Sequence, residues 1–245
     1  TDNEYTQKFG KQQGKYYVPQ RAAAGLDPWA TPQAYDNAKD FFDTGITWSN
    51  SLNVAQMLDK SSYSISLGNT HQDGIISSTG MDRYNVKVSA DTKLTNNWSS
   101  GFTANYITTS IDKAVTSGNG LLRTVYAAPP SYDLAGIPSH VDGNPYTQNS
   151  FRGSFDNAYW AMENNKFTED TNRFFGNVYA SYQTDFGTTN HKLNAKYMVG
   201  VDAYTTHYVD SYGYGSNTGG GRGQIENYGW TNATYNSLLT INYDW

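Results

Sequence analysis

From residue 44 to the end of the chain, apolar and polar positions alternate with a period of two. The clearest stretch is Arg83 to Leu94. Tyr84, Val86, Val88, Ala90 and Leu94 share one parity, and Arg83, Asn85, Lys87, Ser89, Asp91 and Lys93 share the other. Successive side chains of a strand point to opposite faces, so this pattern predicts a strand with one apolar and one polar face. A slip of one residue would exchange the faces, which specifies the register strongly. Six further segments behave alike: 44–57, 61–73, 98–110, 172–186, 192–206 and 231–245. Their apolar parities carry, in turn, Ile46, Trp48, Leu52 and Val54; Tyr63, Ile65 and Leu67; Trp98, Phe102, Ala104 and Tyr106; Phe174, Val178, Ala180, Tyr182 and Phe186. The last two carry Leu193, Ala195, Tyr197, Val199 and Val201, then Tyr235, Leu239, Ile241, Tyr243 and Trp245.

The connections alternate in length. Those at 58–60, 95–97 and 187–191 are short, and their Asp and Asn residues suit left-handed turn positions. Those at 74–82, 111–171 and 207–230 are longer. In an up-and-down meander, odd and even connections lie at opposite ends, so one end carries tight turns and the other long loops. The segments run to about 13–16 residues, where soluble strands commonly have about 5–6. Long strands, short turns on one side and long loops on the other describe a transmembrane β-barrel of the outer-membrane type. On the apolar parity, Trp98 and Tyr106 would lie roughly 20 Å apart along the membrane normal, and Phe174 and Phe186 roughly 30 Å. These spacings bracket an apolar band of about 25 Å whose edges carry aromatic girdles.

The fold class expected is therefore all-β, an antiparallel up-and-down transmembrane β-barrel. Trp48, Tyr84, Val86, Val88, Trp98, Tyr106, Phe174 and Phe186 would face lipid. Arg83, Asn85, Lys87, Asn105, Asn177 and Lys196 would line the lumen. A soluble or secreted β-rich glycan-binding protein would show the same alternation with its apolar parity packed inward. Strand length and the asymmetry of the two ends favour the barrel.

Composition agrees. Only 16% of the 245 residues are charged, against about 25% in an ordinary soluble domain. There are 21 tyrosines and no cysteine. A content of 15% aromatics excludes a disordered chain. No apolar run approaches the roughly 20 residues of a transmembrane helix. The mean hydropathy of −0.69 fits a barrel wall, because only half of the strand residues meet lipid. A net charge of −5 disfavours a nucleic-acid partner.

The strand count does not close a barrel. Single-chain bacterial barrels have even strand numbers from about eight upward, and an open edge would leave N–H and C=O groups unsatisfied in lipid. Residues 1–40 are rich in Gln, Ala, Pro and Gly and read as an external loop or linker segment rather than as strands. The expectation is a partial barrel of about seven long strands over 41–245, with long external loops, whose plug domain and remaining strands lie outside this sequence.

Several short runs fit together. Asp40-Phe41-Phe42-Asp43-Thr44-Gly45 resembles the "FF-x-TG" strand of SusC/RagA-type TonB-dependent outer-membrane transporters. Ser62-Tyr63-Ser64-Ile65-Ser66-Leu67-Gly68 resembles their "YxxSLG" strand, and Gln72-Asp73-Gly74-Ile75-Ile76 the "Q-x-GI" loop start. Arg83 to Val88 is similar to the "RYNxxxN" strand, and Asn172 to Asn177 to a later one. Asp156-Asn157-Ala158-Tyr159-Trp160 resembles a "DNPxW" stretch in a long external loop, with Ala158 in place of proline. The order and spacing match over residues 40–186. The resemblance implies a plugged barrel in the outer membrane of Bacteroidetes-type bacteria that imports glycan fragments or peptides. It implies a SusD-like lipoprotein as a lid over the barrel mouth and the TonB complex as the energy source. No cofactor and no covalent reaction are expected, since the sequence carries no enzyme motif.

Candidate chemistry is sparse. His71, His140, His191 and His207 are scattered without metal-ligand spacing, and Glu163, Glu169 and Asp170 read as a solvated cluster rather than a glycosidase pair. The run Gly219-Gly220-Gly221-Arg222-Gly223 does not lead from a strand into a helix, so it is a loop and not a phosphate cradle. A short helix is expected over Gly120 to Ala128, before Pro129-Pro130. Sugars are held by aromatic faces beside polar hydrogen-bonding groups. The substrate contacts expected in the external loops are therefore Tyr132, Tyr146, Arg152, Asn157, Tyr159 and Trp160, with Tyr212, Tyr214 and Arg222 after the sixth strand, where Tyr208 and Tyr228 also lie.

Overall fold

Seven long strands hydrogen-bond into one antiparallel sheet in the order of the chain. They are β1 (Thr47–Met57), β2 (Ser61–Asp73), β3 (Gly80–Lys93), β4 (Trp98–Lys113), β5 (Lys166–Asp185), β6 (Lys192–Tyr212) and β7 (Gln224–Asp244). The computed structural model describes residues 8, 10–115, 120–187 and 191–245. Residues 1–7 and 9 of the expected linker, and 188–190 of the third tight turn, lie outside the described residues. The sheet is an open meander: β1 and β7 each have a single neighbour among the described residues.

Strand identity and register follow the alternation. One row across the sheet reads Leu52, Leu67, Val86, Tyr106, Phe174, Ala203 and Ala233. The next row on the same face reads Val54, Ile65, Val88, Ala104, Gly176, Val201 and Tyr235. Seven of the eight residues expected to face lipid have this parity on the strands, while Phe186 follows the last residue of β5; Arg83, Asn85, Lys87, Asn105, Asn177 and Lys196 have the other.

Among the described residues, no second layer lies upon the apolar face. Trp48 is 64% exposed, Val178 53% and Ile241 62%. Both edge strands are exposed along nearly their whole length.

At the long-loop end the strands outrun the alternation. β5 begins at Lys166 rather than 172, β6 continues to Tyr212, and β7 begins at Gln224 rather than 231. The expected loop 207–230 is thereby reduced to 213–223, and 74–82 to 74–79. Backbone pairing continues there although neither face is uniformly apolar, so periodicity alone does not reveal it. The turns at 58–60 and 94–97 are tight, as expected, but Asp59, Asn96 and Asn97 do not take a positive φ. The Thr95 hydroxyl instead accepts from the backbone N–H groups of Asn97 (3.2 Å) and Trp98 (3.0 Å).

The loops and the N-terminal segment build a separate cap at that end. Residues 10–46 are not a plain loop. They contain a small sheet (Lys11–Gln12, Lys15–Tyr17, Trp29–Ala30) and two helical turns, α1 (Pro19–Ala23) and α2 (Asn37–Phe41). The β4–β5 connection adds α3 (Leu121–Ala127), the pair His140–Val141 and Asn144–Gln148, and α4 (Ala158–Asn164). α3 falls where the short helix is expected. Val18, Phe41, Leu121, Val125, Leu134, Ile137, Ala158 and Trp160 form a common buried core. Phe41 thus belongs to the cap and does not open a strand, because a core at the strand end accepts the ring.

Two of the motifs meet where cap joins sheet. The Asp43 N–H donates to the Ile75 carbonyl at 2.8 Å. A Cβ on Gly45 would lie 3.0 Å from the Asp73 carbonyl oxygen, so only glycine fits without displacement.

Candidate functional site

The run Asp156 to Trp160 organises the cap, and each residue has its own task. Asp156, 4% exposed, joins two loops distant in sequence. Its carboxylate accepts from Gln148 Nε2 (2.7 Å), Ser216 Oγ (2.6 Å), and the Asn217 N–H (2.7 Å) and Nδ2 (2.8 Å). Four donors satisfy a carboxylate that would otherwise be costly to bury. Asn157 caps α4, its Oδ1 accepting from the N–H groups of Tyr159 (3.0 Å) and Trp160 (3.3 Å), while Nδ2 donates to the Asn149 carbonyl (2.8 Å). Ala158 is the first helical residue. Tyr159 packs edge-on against Phe41 at 5.4 Å and donates to the Asp40 carbonyl. Burial and the nearby Asp40 raise its phenol above the ordinary value. Trp160 is fully buried and donates through Nε1 to the Pro145 carbonyl at 2.8 Å.

The expected substrate contacts therefore separate. Tyr132, Asn157 and Trp160 are buried in the cap core, so they hold the fold rather than face a ligand. Tyr212 lies on β6, not in a loop, and packs edge-on against Phe167 at 5.0 Å. Arg152 is exposed, with its guanidinium 5.5 Å from the Phe155 ring, and Arg222 is exposed on the 213–223 loop. Tyr146 and Tyr214 come together, 60% and 62% exposed, with rings edge-to-face at 5.8 Å. Gln148 Nε2, already on Asp156, also donates to the Gly215 carbonyl at 2.8 Å and holds that pair of loops in place.

The polar face of the sheet carries a ladder of cross-strand contacts. Tyr179 passes over Gly101 and donates to Asp91 Oδ1 at 2.6 Å, and a Cβ on Gly101 would lie 2.7 Å from the tyrosine ring. The Lys196 ammonium sits 4.0 Å from the centre of the same ring. Arg173 grips Asp202 through Nε (2.8 Å) and Nη2 (2.5 Å), the bidentate geometry of a strong ion pair.

Towards the cap, the same face ends in an aromatic platform. Tyr208 on β6 stacks on Tyr228 of β7, with centroids 5.0 Å apart and planes within 9°, and Trp230 lies 5.3 Å from Tyr208. The Lys113 ammonium stands 4.4 Å over the Tyr208 ring and pairs with Glu169 at 3.4 Å. The Tyr228 hydroxyl donates to Asp210, which faces Glu226 across the strands. Reading 207–230 as loop hides this platform. The signal that finds it is the spacing of two between Tyr228 and Trp230, which places both rings on one face of a strand.

The histidines are dispersed. His71 bonds Asp82, His140 approaches Glu163 at 3.5 Å, His191 stacks on Tyr243, and His207 contacts Asn227. Among the described residues, no group of three or more His, Cys, Asp or Glu side chains is arranged to hold a metal ion. No protein-family model matches the chain, and no curated protein matches it.

Proposed function

We propose that the sheet is a stretch of the wall of an outer-membrane β-barrel, and that the protein is a SusC/RagA-type transporter. It imports an oligomeric nutrient, a glycan fragment or a peptide, by TonB-driven transport under a SusD-like lid, and performs no covalent chemistry. The observation that carries this reading is the uncovered apolar face. A soluble glycan-binding sandwich needs a second layer over such a face, whereas lipid covers it directly.

The shape of the apolar window supports the same reading. Along β1 and the residues flanking it the window runs from Ile46 to Leu58, and along β7 from Ala233 to Trp245, the residue after the strand. Leu52 and Ala233 share a row, so the window slides by about six residues across the sheet. That is roughly 20 Å along strands whose sheet is roughly 29 Å wide, a slant of about 35°. Barrel strands tilt by about 35–45° in the membrane, and their lipid-facing band slants across the register by the same angle. The two open edges are where further strands would pair.

Spin labels at positions 86, 88 and 104 test the wall. In membranes they should be relaxed by oxygen and not by a water-soluble nickel chelate; the reverse would end the barrel reading. Deleting the gene should abolish growth on one glycan or peptide as sole nutrient, and unchanged growth on every one would end the import reading.

A further inference from the structure

We infer that Tyr208, Tyr228 and Trp230 form a carbohydrate-stacking platform on the polar face of the wall, next to the cap. The inference rests on the import reading and narrows its substrate to a neutral, hydroxyl-rich oligomer.

The rings lie on the polar parity, in a sheet whose other parity carries the apolar band. They are not core: Trp230 is 52% exposed and Tyr228 44%. Their contacts on one another hold their planes in place, so little side-chain entropy remains to be lost on binding. An exposed indole beside stacked phenols offers flat π surface to the C–H face of a sugar ring. The surrounding groups choose among ligands. Asp210 and Glu226 stand opposite each other in the register; Asp210 accepts from the Tyr228 hydroxyl and Glu226 from Gln224 Nε2, each through one oxygen, which leaves the second carboxylate oxygen as an acceptor for sugar hydroxyls. The cation at the platform, Lys113, is engaged by Glu169 and by the Tyr208 ring. An anionic ligand therefore meets acidic side chains and an occupied lysine. A neutral oligosaccharide uses both features, stacking on the rings while its hydroxyls donate to the carboxylates.

Titration of the whole protein in detergent micelles with maltoheptaose, cellohexaose and xylohexaose tests the platform, with polyalanine peptide and tetramethylammonium as competitors. At least one sugar should bind, with affinity reduced about ten-fold or more by Trp230→Ala and largely kept by Trp230→Phe. Tyr228→Ala should weaken binding less, and heat-modified gel mobility verifies that each variant is folded. Failure of every sugar to bind overturns the inference, as does equal binding by wild type and Trp230→Ala. Displacement by the peptide or by tetramethylammonium that depends on Trp230 overturns the carbohydrate assignment. None of these results moves the spin labels on the opposite face, so failure of the platform and failure of the barrel reading are told apart.

Discussion

The cap and the sheet treat apolar side chains in opposite ways. The cap gathers Phe41, Leu121, Val125, Leu134 and Trp160 from three distant segments and removes them almost completely from solvent. The sheet sets a larger number in regular rows and leaves them uncovered, among them Leu52, Val178, Leu239 and Ile241. Cap stability therefore comes from its own burial. The sheet holds together through its backbone ladder and depends on its surroundings for the apolar face. One chain thus contains an ordinary globular core and an apolar surface left exposed, and substitutions should separate the two.

The largest effect is expected at Trp160. Truncation to alanine should cost the cap about 3–5 kcal/mol. Hydrogen exchange would show α3 and α4 losing protection while the ladder from β2 to β6 keeps it. Joint loss in both regions would mean that they are one cooperative unit. Val178→Arg probes the sheet. At a half-exposed position in water it would change stability by less than about 0.5 kcal/mol, whereas on a lipid face near mid-band it should cost about 2–4 kcal/mol. Urea unfolding from lipid vesicles distinguishes these outcomes.

Asp156→Ala comes next. It strips four donors of their acceptor and should destabilise the cap by about 1–3 kcal/mol. The first sign would be faster proteolysis of the 213–223 loop, with Tyr146 and Tyr214 no longer held together. Ala158→Pro should be the smallest change, and a gain. Ala158 opens α4, where a proline sacrifices no helical hydrogen bond, and Asn157 already has the extended conformation (φ −60°, ψ 129°) that a following proline requires. Thermal melting should show about 0.4–1 kcal/mol of stabilisation. A lower melting point would mean that the fully buried site cannot take the ring.

Legibility in the sequence followed the same boundary. Within the apolar band the two faces of each strand carry unlike side chains, and the alternation from Arg83 to Leu94 or from Leu193 to Val201 gives the strand and its parity. Above the band the contrast between faces fades. Phe167, Glu169, Tyr208 and Trp230 then follow no apolar–polar rule although their strands run on, so the ends of β5, β6 and β7 read as loop. The cap was harder still. Its helices are short, and its core joins residues far apart in the chain, such as Asn37, whose side chain accepts from the Leu134 N–H at 3.1 Å across 97 positions. Aromatics read as loop contacts divide accordingly into buried Tyr132 and Trp160 and exposed Tyr146 and Tyr214.

The sequence by itself determined which residues form the long strands through the band, which parity is apolar, and which end carries the tight turns. These are local properties, because successive side chains of a strand point to opposite faces and a period of two is legible within each segment. The tertiary structure alone decided which aromatic rings are consumed by the cap core, that Asp156 ties two loops together, and that Tyr208, Tyr228 and Trp230 share one face. Those outcomes depend on contacts between segments that no local period relates.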